Sequence, residues 1–414
     1  MLLRRVGGIS AAVSNLLRRR FSAAAASRPG WAMIYHAPLA RSSVPRPSLQ
    51  LLEPPCASHL LVPAHLVDPR PDGDPSAYGS NNMRRFQGGF VHATSGDGLL
   101  LIDFLDIRDM DPLAANYAHV RAIHSGCEFG PDDPDVLRFV CNPLSGEMFR
   151  LPDAGGTKKV EADPYTGAML FAVTRFLSET GKWEKVGFAV GIERGLQLHW
   201  MMTPDHEVLA FAGRLWWVDV SRGAICFDPF SDQPDFRCVE LPRDSVTDCV
   251  HTLGRYRRMG VSEGRLRYAE VSREEPFVLR SFVLNNDSGC WALEHRMELS
   301  RLWVHGGRQR QEDAPHIAVL DPLNANVIHI TLGNVAFAVD MDKGKVLGCS
   351  TSPIDEGARE GTSEGHWFFK PCVLPPWLES NRIPSAGTLS SVKANVKSNT
   401  LSDILVRVDR SKKN

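Results

Sequence analysis

The stretch Gly213–Phe230, GRLWWVDVSRGAICFDPF, sets two tryptophans and an acid between two turn signals, and its reading decides the fold. A glycine opens it, mostly apolar residues follow, and Asp219 with Val220 closes the first run. GRLWWVDV (213–220) recurs as GRLRYAEV (264–271), and DGLLLIDF (97–104) and NVAFAVDM (334–341) fit the same template. GAMLFAVT (167–174) is a weaker copy without the acid. Apolar runs of this length, bounded by Gly or Asn, predict strands with both faces largely buried.

Asp103, Asp219, Glu270 and Asp340 occupy the acid position of the four complete copies. A catalytic acid is needed once, whereas an acid repeated near strand ends suits a turn or hydrogen-bonding role. Asp219→Asn is therefore expected to lower stability and to leave a binding surface intact. Trp216, Trp217 and Tyr268 alternate along these strands, a pattern of core packing rather than of ligand stacking.

A second element follows several copies. CNPLSGEMFRLP (141–152), FDPFSDQPDFRCVELP (227–242) and LDPLNANVIHI (320–330) each end a strand with Asn or Asp followed by Pro and an apolar residue. Pro143, Pro229 and Pro322 carry the φ that position i+1 of a type I turn needs. Asn142, Asp228 and Asp321 at position i can accept a hydrogen bond from the backbone two residues on. Each unit reads as strand, turn, strand.

The units start roughly 45 to 70 residues apart, with irregular loops between them, which suits β-propeller blades carrying insertions. The predicted class is mainly β: a propeller-like array of short antiparallel blades, five to seven of them, with long irregular loops and flexible termini. A β-sandwich, or a pair of them, is the competing architecture. WAMIYHAPLARSSVPRPSLQLLEPPCASHLLVPAHL (31–66) supplies a first blade, and HWFFKPCVLPPWL (366–378) a closing strand beside it. Residues 1–30 read as an organelle transit peptide, 31–380 as the propeller-like domain, and 381–414 as a flexible Ser/Lys-rich tail, apolar only at LSDILVRV (401–408).

Composition narrows the function classes. The 414 residues are 43% hydrophobic and 23% charged, as in a globular protein with a sizeable core. No run approaches the roughly 18 apolar residues of a membrane helix, so no membrane partner is expected. Nine cysteines are spread singly, and Cys141 and Cys226 have apolar neighbours, so packed thiols without disulfides are expected. The first 52 residues hold eight arginines and no acid, which leaves the rest of the chain at a formal −9. Such a body offers no electrostatic footprint for nucleic acid.

Leu2, Val6, Ile9, Val13 and Leu16 fall at helical spacing in the arginine-rich start, the profile of an import segment. Arg19-Arg20-Phe21-Ser22 resembles a plant-type mitochondrial processing site, cleaved between Phe21 and Ser22. Mitochondrial import is the expected address, with chloroplast or cytosol and nucleus as alternatives.

No chemistry motif survives its context. Gly260-Val261-Ser262-Glu263-Gly264 has the spacing of a nucleophile elbow, but Gly264 opens a strand where an elbow needs a helix. His206-Glu207 lacks a second histidine, Ala210 standing in its place. Asp340-Met341-Asp342-Lys343-Gly344 reads as a β-turn rather than a calcium loop, and the acids 132–135 as a solvated loop. His59, His65, His92 and His329 read as structural. Asn286-Asp287-Ser288 fits the glycosylation pattern and is read as chance. No cofactor is expected.

The order of motifs carries a resemblance. A Trp-led opening strand is followed by LEPPCASHL, HATSGDGLLLIDF, RFVCNPLSGEMFRLP and GRLWWVDVSRGAICFD. This resembles the grass-expanded plant family known only as domain of unknown function 1618, over roughly residues 31–380. CNPLSGEMFRLP is also similar to the propeller domain associated with F-box proteins. That likeness implies a recognition surface, although no F-box helix set precedes the domain. The family brings no catalytic residues.

The function these observations imply is a non-catalytic protein-interaction or scaffold module. Its protein partner would be held by the propeller loops, above all 105–135, 153–165 and 305–315. The alternative is a hydrolase-like propeller enzyme with a metal or acid cluster at the central channel, for which Asp103, Asp219, Glu270 and Asp340 are the ligand candidates.

Overall fold

A computed structural model describes residues 28–36, 39–67, 84–110, 135–152, 169–178, 180–190, 207–231, 237–247, 253–286, 289–303, 314–351 and 369–383. Among them, five sheets of four or five strands and one two-stranded sheet hold nearly all the regular structure. The first sheet contains β1 (Trp31–Tyr35), β2 (Ala40–Ser42), β3 (Ser48–Gln50) and β4 (Ala57–Pro63). The second contains β5 (Arg84–Thr94), β6 (Leu100–Met110), β7 (Asp135–Cys141) and β8 (Met148–Arg150). A ribbon of β9 (Met169–Leu177) and β10 (Lys182–Val190) follows.

The third sheet contains β11 (Glu207–Phe211), β12 (Arg214–Asp219), β13 (Gly223–Phe227) and β14 (Arg237–Glu240). The fourth contains β15 (Arg257–Ser262), β16 (Arg265–Val271), β17 (Val278–Leu284) and β18 (Trp291–Glu298). The fifth contains β19 (His316–Leu320), β20 (Val327–Leu332), β21 (Val335–Asp340) and β22 (Lys345–Thr351). The last strand, β23 (Phe369–Val373), returns to the first sheet.

Sheets two to five are antiparallel meanders in sequence order. Their first strands and β23 touch in a cycle: β23 on β5, β5 on β11, β11 on β15, β15 on β19 and β19 on β23. The cycle closes after five members, so the molecule is a five-bladed β-propeller. GAMLFAVT falls in the β9–β10 ribbon, which stands outside the cycle and is not a blade.

The ring is closed by joining its two ends. β23 pairs antiparallel with β1, Trp31 opposite Val373 and Tyr35 opposite Phe369. The late apolar, Pro-broken run therefore does close the first blade. A ring without exposed inner edges avoids the edge pairing that limits open sheets. Gly98, in the β5–β6 turn at φ +86°, lets the closure pack tightly, since a Cβ there would lie 2.5 Å from the Val373 carbonyl oxygen.

The core lies between blades. One cluster joins Ile34, Leu60, Ile102 and Cys372 of the first and second blades, and another joins Trp216, Val218, Leu266 and Tyr268 of the third and fourth. Ala269, Leu279, Ile328 and Val339 join the fourth to the fifth, and Met33, Phe369 and Val319 the fifth to the first. Completely buried side chains such as Tyr268, Phe90 and Met33 each contribute about 1.5–3 kcal/mol of transfer free energy. A lone blade would leave these faces in water, which is why the strand sequences are apolar on both sides.

The hairpins follow the turn signals. Ala212-Gly213 and Glu263-Gly264 take positive φ at both central residues, as two-residue hairpins of the primed type require. In the fifth blade the template is displaced. GRLWWVDV, GRLRYAEV and DGLLLIDF form second strands, but NVAFAVDM forms the third, β21. Asp321-Pro322 correspondingly joins strands one and two of its blade, whereas Asn142-Pro143 and Asp228-Pro229 join strands three and four. The motif is the same, and its place in the blade is not.

Candidate functional site

The four repeat acids are all buried: Asp103 and Asp219 at 1%, Asp340 at 2% and Glu270 at 4% exposure. Burial of a carboxylate demands partners, and those partners divide the four into two kinds. Asp219 and Asp340 end their strands and hold turns. Asp219 Oδ1 accepts from Ser221 N at 2.8 Å and Ser221 Oγ at 2.5 Å. Asp340 accepts from Lys343 N at 2.9 Å and Lys343 Nζ at 2.8 Å. The hydrogen bond from the Lys343 side chain, then that from its backbone, holds the Asp340 carboxyl below its usual range. The 340–344 stretch is thus a turn, with Gly344 at φ +58°.

Asp103 and Glu270 sit inside their strands and meet basic side chains across the sheet. Asp103 lies directly opposite Arg138 of β7, with Arg138 Nε at 3.5 Å and His92 Nδ1 of β5 at 3.3 Å from Oδ2. Glu270 lies opposite both Arg257 of β15 and Arg280 of β17, with Arg280 Nη2 at 2.6 Å from Oε1. Tyr268 Oη donates to Glu270 Oε2 at 2.9 Å, and burial, then the Glu270 charge, pushes the phenol well up. Arg257 also donates to the Val220 and Ser245 carbonyls of the third blade, so this cluster ties two blades together.

These acids belong to four different blades and do not converge. Among the described residues no three His, Cys, Asp or Glu side chains come together as a metal site would need. The channel cluster proposed for an enzyme therefore loses its ligand set, because each acid is engaged within or beside its own sheet. Ser262 likewise donates to the Asp321 carbonyl at 2.5 Å inside the β15–β16 hairpin region, with no helix behind it.

The Asx-Pro turns behave as their sequence predicts. Asn142 Oδ1 accepts from Leu144 N at 3.1 Å, Asp228 Oδ1 from Phe230 N at 2.9 Å, and Asp321 Oδ1 from Leu323 N at 2.8 Å. Asn142 does more. Its Nδ2 donates to the Leu378 carbonyl at 2.7 Å and the Asn381 carbonyl at 3.1 Å, which fastens the chain after the closing strand to the second blade. A fourth turn of this kind escaped the sequence reading. Asn285 N donates to Cys290 O and Gly289 N to Asn285 O, repeating the bonds of Asn142 with Glu147 and Gly146. Asn-x-x-Ser-Gly in both segments was the available signal; Asp287 and Ser288 of the Asn286-Asp287-Ser288 pattern lie outside the described residues.

One charged group was not anticipated. Glu207 of β11, Arg258 of β15 and Lys370 of β23 come from the inner strands of three blades. Lys370 Nζ lies 3.2 Å from Glu207 Oε1 and Arg258 Nη1 3.6 Å from Glu207 Oε2. Arg258 Nη2 also donates to the Ala318 carbonyl of β19 at 2.6 Å. Burial lowers the affinity of both cations for their protons, and Glu207 opposes that effect. The three are 51 and 112 residues apart in sequence, so no local spacing marks them. Their geometry is that of a clasp between inner strands.

Among the described residues, His329 and His59 pack against aromatic rings. His329 is buried and meets Trp31 edge-on at 5.2 Å, and His59 lies against Tyr35 at 5.6 Å. Cys141 and Cys372 are free thiols; burial raises both, Cys372 to about 12. No helix among the described residues is long and apolar enough to cross a membrane.

The two ends of the ring differ. Hairpins joining strands one to two and three to four lie at one end and are short: 95–99, 212–213, 263–264, 285–290, 321–326 and 341–344 among them. Every connection longer than ten residues between described blade strands leaves from the opposite end, including 111–134, 241–256, 299–315 and 352–368. The interior of loops 105–135, 153–165 and 305–315 falls largely outside the described residues. Their anchoring strands are described, and they shorten the first loop: residues 105–110 belong to β6 and Asp135 opens β7, so the connection is 111–134.

Residues 217–329 match the family model described as a protein of unknown function, DUF1618. No curated protein matches the chain. Among solved structures, the β-propeller domain of Cps50 (Swd1) from Myceliophteria thermophila is 8% identical, with 66% of this chain and 90% of that one covered and a TM-score of 0.28. AztD from Citrobacter koseri is 10% identical, with coverage of 64% and 74% and a TM-score of 0.28. A putative 6-phosphogluconolactonase from Bacteroides fragilis is 10% identical, with coverage of 64% and 81% and a TM-score of 0.23. Scores this low bear on neither fold nor function, and the five-bladed ring is read from strand pairing and inner-strand contacts.

Proposed function

We propose that this chain is a non-catalytic protein-interaction module whose partner surface is the end of the ring carrying the long connections. The observation behind this reading is the segregation of every connection above ten residues to that end. Loops on a rigid scaffold can vary without disturbing the core, so recognition concentrates there. The buried acids offer little to catalysis, since they are engaged in turns, cross-strand pairs and the clasp.

Proximity labelling with the full chain tests the reading. A reproducible set of neighbours is expected, lost when Asp132 and Asp133 are reversed to Lys together with Arg308 and Arg310 to Glu. Leu323→Ser, at the short-turn end, should leave the set unchanged. An absence of reproducible neighbours, or loss through Leu323→Ser alone, would overturn it.

We propose in addition that residues 1–30 direct mitochondrial import with cleavage between Phe21 and Ser22. The acid-free, arginine-rich start supports this. A fluorescent fusion of residues 1–40 should enter mitochondria; a diffuse or chloroplast signal counts against it.

A further inference from the structure

Among the described residues β9–β10 is the one sheet with fewer than four strands. Its tip is held across the seam between the second and third blades. Phe176 packs on Phe149 at 6.1 Å between ring centroids, Trp183 Nε1 donates to the Pro152 carbonyl at 2.7 Å, and Arg175 Nη1 to the Pro229 carbonyl at 3.1 Å. Beyond the tip the register pairs Val173 with Val186, Ala172 with Gly187, Phe171 with Phe188, Leu170 with Ala189 and Met169 with Val190. None of these ten residues is charged. An isolated two-stranded ribbon is at best marginally stable, and an uncharged edge is a template for a further strand.

The described chain ends close by. Ile383, three residues beyond the expected limit of the domain, is buried, and its N–H donates to Glu147 Oε2 at 2.9 Å. Glu147 directly precedes β8, the strand that carries Phe149 to the ribbon. Residues 384–414 contain one run of strand-forming type, Leu401 to Val408 (LSDILVRV), rich in β-branched and aliphatic residues. The 17 residues between, 384–400, span up to roughly 56 Å when extended.

We propose that residues 401–408 dock on the β9–β10 ribbon of the same chain as its third strand. The tail then completes the sheet from a starting point already fastened beside it, so the entropy cost of closing the loop is small for its length. Asp403 and Arg407 flank the apolar Ile404–Val406 core of the added strand.

Hydrogen exchange on the full chain tests this. Amides of 401–408 should exchange at least tenfold more slowly than those of 385–400, at two protein concentrations tenfold apart. Ile404→Asp with Val406→Asp should abolish that protection and speed exchange in 169–173 and 186–190, while β16 amides stay protected. Unprotected 401–408 amides in the natural chain overturn the proposal. So does ribbon protection that survives the double variant, which would place residues 191–206 or another protein on the edge. Protection lost on dilution overturns it too, because a second copy would then supply the strand.

Discussion

Asn142 Nδ2 and the Leu378 carbonyl oxygen meet at 2.7 Å although 236 residues separate them. The same side chain caps its own turn through Oδ1. One buried amide thus fixes a local turn and fastens the chain that follows the closing strand. Asn142→Ala removes both and leaves buried carbonyl and N–H groups short of partners. A loss of about 1–3 kcal/mol is expected, read from urea unfolding. Asn142→Asp keeps the turn acceptor and loses the Nδ2 donor, so it isolates the long-range half; stability equal to the natural chain's would mean the link to Leu378 contributes nothing.

Gly98 tests the closure from the other side. Gly98→Ala forces a Cβ against the Val373 carbonyl at a positive φ and should destabilise by about 1 kcal/mol or more. Gly96, two residues away, has nothing within 4 Å of the place a Cβ would take, so Gly96→Ala should be near neutral. The comparison of the two melting temperatures isolates the close approach.

Glu207, Arg258 and Lys370 make an asymmetric set. Glu207→Gln deprives two buried cations of their shared carboxylate and should cost about 3–5 kcal/mol. Lys370→Met fills the same space and keeps the Arg258–Glu207 pair, so its stability should stay within about 1 kcal/mol or rise. If Lys370→Met proved as damaging as Glu207→Gln, the lysine would have a role beyond the clasp.

Asp340 predicts a pH dependence. The Asp340 pKa is lowered on folding, so the unfolded chain takes up this proton first as pH falls. Its stabilisation is present above the ordinary value of 3.8 and disappears as pH drops through the folded value. Asp340→Asn should therefore be less stable at pH 7, with the gap to the natural chain narrowing below pH 3.8. Asp219→Ala should cost about 1–3 kcal/mol by freeing the Ser221 donors. Asp219→Asn, which keeps an acceptor, should cost less and leave partner binding unchanged.

Much of this was legible from residue order. Gly213 and Gly264 marked hairpins because only certain residues accept their φ, and Asn142, Asp228 and Asp321 marked turns because their side chains bond two residues on. The displaced motif of the fifth blade was not legible, since the same strand pattern serves as second or third strand equally well. The clasp left no trace either: its members come from three strands far apart in sequence, and nothing local marks Glu207, Arg258 or Lys370 as partners.

By itself the sequence determined the β class and the repeated strand and turn chemistry. These follow from local rules, side-chain periodicity and backbone conformational preference, which act within a few residues. Only the tertiary structure decided that five inner strands close the ring, that GAMLFAVT belongs to a ribbon outside it, and which charges meet between the inner strands. Ring closure depends on how whole sheets pack against one another, and that packing is invisible to any pattern confined to one strand.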